Sequence, residues 1–149
     1  MKPTNTWIVI TDGARSRILL NTGPGKGIEE VDGTDIRSPH LKSREIESDK
    51  PGRSYESADG SRHAYQATTD PAEKNEADFL KKLSKFLDRS LAEEKYERII
   101  IAADPKSLGR IRGFLTKAVK DQLVGDLAKD LTKISNADIP THFDALINL

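Results

Sequence analysis

Cysteine is absent from the 149 residues, which excludes a disulfide framework and thiolate chemistry and suits a reducing compartment. Net charge is absent as well. The 24 Lys and Arg offset 24 Asp and Glu, so no global field steers the chain toward nucleic acid or an anionic membrane, and any such attraction is local. No apolar run approaches the ~20 residues of a membrane span. The first residues, MKPTNTWIVITDGARSRI, hold one short apolar stretch broken by Thr11 and Asp12, unlike the longer apolar region of a secretory signal. His40, His63 and His142 lie too far apart for ligand-like spacing, which argues against zinc. These absences lead to the expectation of a soluble, cytoplasmic protein with no cofactor and no membrane association. The length fits one domain spanning residues 1–149; the oligomeric state is left open.

What is present begins with strand signals. Trp7 to Ile10, then TDGAR, then SRILL predicts a hairpin, because Asp-Gly supplies the positive backbone torsions of a tight turn. NTGPGKG, Asn21 to Gly27, marks a second turn and lacks the full phosphate-loop pattern and the helix after it. Ile28, Val31 and Ile36 suggest a third strand. Farther on, Phe79, Leu80, Leu83, Phe86, Leu87 and Leu91 recur at helical spacing, which predicts an amphipathic helix from about Glu73 to Lys95. RIIIAA, Arg98 to Ala103, reads as a central strand buried on both faces. Asp104 and Pro105 open a second helix with Leu108, Ile111, Leu115 and Val119 on one face. QLVGDLAKDLTKI fits either a helix, through Leu123, Leu127 and Leu131, or a strand with Leu123, Gly125, Leu127, Lys129 and Leu131 on one face; the strand is preferred. Ser135 and Asp138 resemble a capping box opening a terminal helix that packs Ile139, Phe143, Leu146 and Ile147 inward. The order β-β-β-loop-α-β-α-β-α predicts an α/β fold with a mixed sheet.

Between the patterned segments lies a polar loop, about residues 37–71, whose central part reads DKPGRSYESADGSRHAYQATTDP. Arg37, Lys42, Arg44, Lys50, Arg53 and Arg62 stand in it with Tyr55, Tyr65, His40 and His63, a mixture suited to gripping phosphates and stacking on unpaired bases. Five acidic residues, Glu45, Glu47, Asp49, Glu56 and Asp59, dilute that reading, and exposure alone explains many polar loops. The length weighs the other way, since loops beyond roughly 15 residues in a compact domain tend to be functional or disordered.

Other chemistries are weaker. Asp12 and Asp104 each follow a strand and could share a magnesium ion, yet a hairpin needs Asp12 before Gly13 and a helix needs Asp104 as its cap. Ser54, Ser57 and Ser61 near His63 do not build a nucleophile and base in a loop. The run Lys106, Arg110, Arg112, Lys117 and Lys120 has only Asp104 and Asp121 near it in sequence. It is read as a solvated face and, secondarily, as a phosphate-facing one.

Four motifs in order, WIVITDGARSRIL, DKPGRSYESADGSRHAY, IIIAADPKSLGRIR and KDLTKISNADIPTHF, resemble the bacterial host-attachment protein family over almost the whole chain. That family is distantly similar to the middle domain of archaeal and eukaryotic translation release factors. The resemblance implies a mixed sheet with packed helices, related to the ribonuclease-H-like architecture. It also implies that the polar loop occupies the place of the release-factor Gly-Gly-Gln tip. Here that segment has Gly60, Ser61 and Arg62 but no Gly-Gly-Gln, and no glycine precedes Gln66, a departure from the pattern used in peptidyl-tRNA hydrolysis that leaves any hydrolytic activity open. The resulting expectation is a non-catalytic module that binds ribosomal or transfer RNA through Arg53, Tyr55, Gly60, Arg62 and His63, with a direct role in attachment to host cells and a metal-dependent nuclease or hydrolase as the alternatives.

Overall fold

The computed structural model describes residues 4–39 and 70–149. A strand rich in β-branched residues, β1 (Thr6–Thr11), runs through the middle of a mixed sheet and is buried along its whole length. It pairs antiparallel with β2 (Arg15–Asn21), Trp7 opposite Leu20 and Val9 opposite Ile18. On its other side it pairs in parallel with β5 (Arg98–Ala103), Ile8 opposite Ile100. The buried run RIIIAA is thus an interior strand, as its unbroken apolar pattern predicts, but it flanks the centre of the sheet, which β1 occupies.

The expected third strand is two short ones, β3 (Glu29–Glu30) and β4 (Ile36–Arg37), which pair at different levels along the same edge of β2. Gly33, at φ +78°, lies between them. Three residues apart around β3, Ile28 and Val31 pack on opposite faces of the sheet, and Ile36 beyond the turn stays exposed.

From Pro71 the chain forms the long helix α1 (Pro71–Ala92), capped by Asp70, whose carboxylate accepts from the amide of Ala72 at 3.0 Å. Proline at the first turn loses no hydrogen bond there. After β5 comes α2 (Pro105–Phe114), then α3 (Lys117–Asp121), then β6 (Leu123–Ala128), parallel to β5. The single second helix expected from periodicity is therefore broken. Leu115 is extended, and Thr116 restarts the helix by accepting from Val119 N at 3.3 Å while donating to Asp88 at 2.8 Å. Side-chain capping here outcompetes helix continuation.

The preference for a strand at QLVGDLA holds, but its faces differ from the expected alternation. The β5–β6 register shifts between Ile99, opposite Leu123, and Ile100, opposite Gly125. The extra residue, Val124, turns Leu123 toward the helices and Leu127 toward the opposite face.

Two cores result. On one face Trp7, Val9, Ile18, Ile99 and Ile101 meet Leu80, Leu83 and Leu87 of α1 with Leu108 and Ile111 of α2. Trp7 stacks on Tyr96 at 4.8 Å, and the Tyr96 hydroxyl donates to Leu87 O at 2.7 Å. On the other face Ile8, Ile10, Leu19 and Ile100 are covered by the C-terminal segment through Leu131, Ile139, Phe143 and Leu149. Each fully buried side chain of this size contributes about 1.5–3 kcal/mol.

The terminal helix is shorter than its pattern suggests: one 3-10 turn at Asn136–Asp138, then α4 (Ile139–His142). Ile139 and Phe143 are buried and Ile147 packs inward, whereas Leu146 stays 40% exposed. The capping box does not form, because Ser135 donates its hydroxyl to the Asp138 carboxylate at 3.1 Å and caps no amide. Among the described residues no helix is long and apolar enough to cross a membrane.

Candidate functional site

β1 and β5 are parallel neighbours, so Thr11 and Ala103 end side by side and Asp12 and Asp104 emerge at the same edge. Ligands of open α/β sheets commonly sit outside such carboxyl ends. The two carboxylates that the sequence singles out are thus brought to one edge, but each is occupied locally. Asp12 Oδ1 accepts from the amides of Ala14 and Arg15, both at 2.9 Å, and Oδ2 lies 3.5 Å from Arg15 Nε. Asp104 Oδ2 accepts from Ser107 N at 3.1 Å and caps α2. Its Oδ1 is buried without a hydrogen-bond partner. Among the described residues no group of three or more His, Asp or Glu is placed to hold a metal ion.

The turn that joins β1 to β2 lies close against both α1 and α2. Gly13 has φ +85°, and a Cβ there would come within 3.3 Å of Ser107 Oγ and 3.4 Å of Glu76 Cβ. Below it, Glu73 accepts from Lys106 Nζ at 2.7 Å and lies 3.7 Å from Arg110, which is also 3.6 Å from Glu76. The hydrogen bond and charge of Lys106, with the charge of Arg110, hold the Glu73 carboxyl below its ordinary range.

The run from Lys106 to Lys120 is therefore not an open basic face. Besides these pairs, Arg112 bonds Asp126 on β6 and Lys117 bonds Asp121 at 3.0 Å. Only Lys120 among the five lacks an ion pair to the described residues. Sequence proximity showed only Asp104 and Asp121 beside the run; folding supplies Glu73, Glu76 and Asp126 from other elements.

The expected binding residues Arg53, Tyr55, Gly60, Arg62 and His63 lie outside the described residues. What is described is the framework at either end of their segment. Before it, Ser38 N donates to Ala14 O in the β1–β2 turn at 2.6 Å. After it, Asp70 caps α1, and Glu76 in the second turn of that helix lies beside Gly13 of the β1–β2 turn, near enough to meet a Cβ placed there. The first end is bonded to this hairpin and the second adjoins it.

Beside this hairpin a groove of about 370 Å³ opens between β4 and α1. Ile36, Phe79, Leu83 and Phe86 give it an apolar floor, and Arg37, Asn75, Asp78 and Lys82 give it polar edges. On the opposite face a smaller polar hollow of about 50 Å³ is lined by Arg15, Arg17 and Arg37 with Asp35. Sequence reasoning singled out Arg37 alone of these arginines. The signal for the others was the Arg-Ser-Arg alternation at the start of β2, where two cations share the face that Ile10 and Leu19 occupy.

The sequence from residue 7 to residue 143 matches the model of a family described as "Protein required for attachment to host cells". Among curated proteins, none matches. Among solved structures, the chain is similar to the crystal structure of the archaeal translation termination factor aRF1, with 14% identity and a TM-score of 0.43. That similarity covers 82% of this chain and 29% of the termination factor.

Proposed function

The chain belongs to the family of proteins required for attachment to host cells, and from that premise we propose that it is a non-catalytic, cytoplasmic module that binds ribosomal or transfer RNA through the segment 37–71. The observation that supports this reading most is that both flanks of that segment adjoin the β1–β2 hairpin, Ser38 by its hydrogen bond to Ala14 and Glu76 by its place beside Gly13. The described flanks of the segment that carries Arg53, Tyr55, Gly60, Arg62 and His63 thus lie near the carboxyl edge of the sheet, where α/β folds commonly receive ligands. Arginine suits the role because its planar fork grips a phosphate and stacks on a base. Asp12 and Asp104 are engaged in closing a turn and capping a helix, which favours binding over metal-assisted hydrolysis. A requirement in attachment then follows indirectly, from altered translation.

The test is the double substitution Arg53→Ala with Arg62→Ala. RNA captured from native lysate by the full chain should bind the variant more weakly, with a flatter salt dependence because fewer counterions are released, and the melting temperature should stay within a degree or so of wild type. Several degrees lost with affinity retained would make these arginines internal braces. Cell fractionation separates the remaining reading: protein at the cell surface, without ribosomal co-sedimentation, would reject an RNA-binding role in favour of direct adhesion.

A further inference from the structure

Arg15 and Arg37 stand directly opposite each other in the antiparallel β2–β4 register, and Arg17 lies two residues along the same face of β2. Like charges facing each other across a strand pair repel, so something must offset them. Within the described protein the offset is incomplete. Asp12 approaches Arg15 Nε only to 3.5 Å, and that nitrogen is buried with no hydrogen-bond acceptor. Arg37 is exposed and, among the described residues, makes no ion pair or hydrogen bond through its side chain. Arg17 is already committed, to Asn136 and to the carbonyls of Thr132 and Ile134. The polar hollow these groups line, about 50 Å³, is several times what one water needs.

We propose that Arg15 and Arg37, with Arg17 as a fixed third charge, form a binding site for a phosphate group. Two guanidinium forks facing one hollow match the oxygens of a tetrahedral oxyanion, which accepts paired N–H bonds from each. Arg17 has its donors engaged and contributes only its field. Three guanidinium charges against the carboxylates of Asp12 and Asp35 leave one net positive charge at the site. That balance suits a singly charged phosphodiester better than a doubly charged monoester. The site stands on β2 and β4 and does not depend on the reading of Arg53 and Arg62.

The experiment is an NMR titration of the full, 15N-labelled chain, following the Nε–H signals of Arg15 and Arg37. Inorganic phosphate and a short single-stranded oligoribonucleotide are added separately, with sodium chloride at matched ionic strength as the blank. Saturable shifts of both signals with a phosphate probe, absent with chloride, are expected. A response to inorganic phosphate assigns a site for free phosphate, and a response confined to the oligoribonucleotide assigns one for a polymer backbone. Arg37→Gln, at an exposed position, should weaken binding by about tenfold or more, and Asp35→Asn should tighten it severalfold by removing a competing charge. The Arg53→Ala, Arg62→Ala variant should leave the inorganic phosphate response unchanged, so failure of one reading is distinguishable from failure of the other. No saturable shift with either probe, or wild-type affinity in Arg37→Gln, overturns the proposal.

Discussion

Arg17 on β2 donates from Nε to the side-chain carbonyl of Asn136, 3.0 Å away in space and 119 residues later in the chain. Its terminal nitrogens reach the backbone carbonyls of Thr132, at 2.9 Å, and Ile134. Asn136 in turn donates to Glu30 on β3 at 3.0 Å. One guanidinium thus clasps the C-terminal segment onto the sheet face that Ile139 and Phe143 cover. Two of the sequence motifs, GARSRIL and LTKISNADIP, meet in this contact, and their meeting is architectural.

Arg17→Ala should therefore destabilise the protein by about 2–4 kcal/mol, since it removes charge-assisted bonds and leaves carbonyls unpaired beneath the segment. Urea unfolding measures it. Arg17→Lys should recover less than half of the loss, because an ammonium cannot reproduce the fork that reaches Asn136 and two carbonyls together. Full recovery by lysine would mean that charge alone holds the segment.

Such a contact shows why some of this protein was legible in its sequence and some was not. β1, β2, β5 and α1 follow from local pattern: β-branched runs, an Asp-Gly turn, and apolar residues at helical spacing. The break at Leu115 depends on Asp88, 28 residues before its partner Thr116, and the reversed faces of Leu123 and Leu127 depend on a bulge opposite β5. Periodicity within a segment carries no trace of either. The pairing of Asp12 and Asp104 at one edge was readable from strand ends, and so were their local duties. The arginine triad was not, because the fold alone sets Arg37 of β4 against Arg15 of β2. The salt bridges that neutralise the run from Lys106 to Lys117 were hidden for the same reason, with Glu73, Glu76 and Asp126 arriving from α1 and β6.

Gly13 and Gly33 separate backbone strain from packing. Both have positive φ, +85° and +78°, but a Cβ on Gly13 meets Ser107 and Glu76 while one on Gly33 meets nothing within 4 Å. Gly33→Ala should cost about 1 kcal/mol from conformation alone, and Gly13→Ala about 2 kcal/mol or more as the turn is pushed off α1 and α2. Equal losses in the two variants, read by thermal or urea denaturation, would show that the turn is not pinned by the helices.

Glu73 makes the acid limb of the stability curve informative. Its folded-state carboxyl titrates below the ordinary value of 4.5, chiefly through the hydrogen bond from Lys106. A depressed carboxylate stabilises the fold above its unfolded-state value, and the contribution is lost as pH falls through the folded-state value. Wild type should therefore melt slightly above Glu73→Gln at neutral pH, and the two curves should converge below about pH 4.5. High salt should shrink the neutral-pH difference, because the pair is exposed to solvent. A gap that persists unchanged to acid pH would assign the effect to packing.

Asp104 presents its two oxygens to opposite circumstances, Oδ2 capping α2 through Ser107 N and Oδ1 buried without a partner. The first stabilises the helix start and the second costs desolvation. Serine at this position keeps an acceptor for the cap and removes the orphaned oxygen, whereas alanine removes both. Asp104→Ala should lose about 1 kcal/mol, and Asp104→Ser should stay within about 0.5 kcal/mol of wild type despite losing a charge at the helix N-terminus. Urea unfolding of the two variants beside wild type decides it. If serine is as damaging as alanine, the carboxylate is engaged beyond its cap, and the edge shared with Asp12 regains its claim to chemistry.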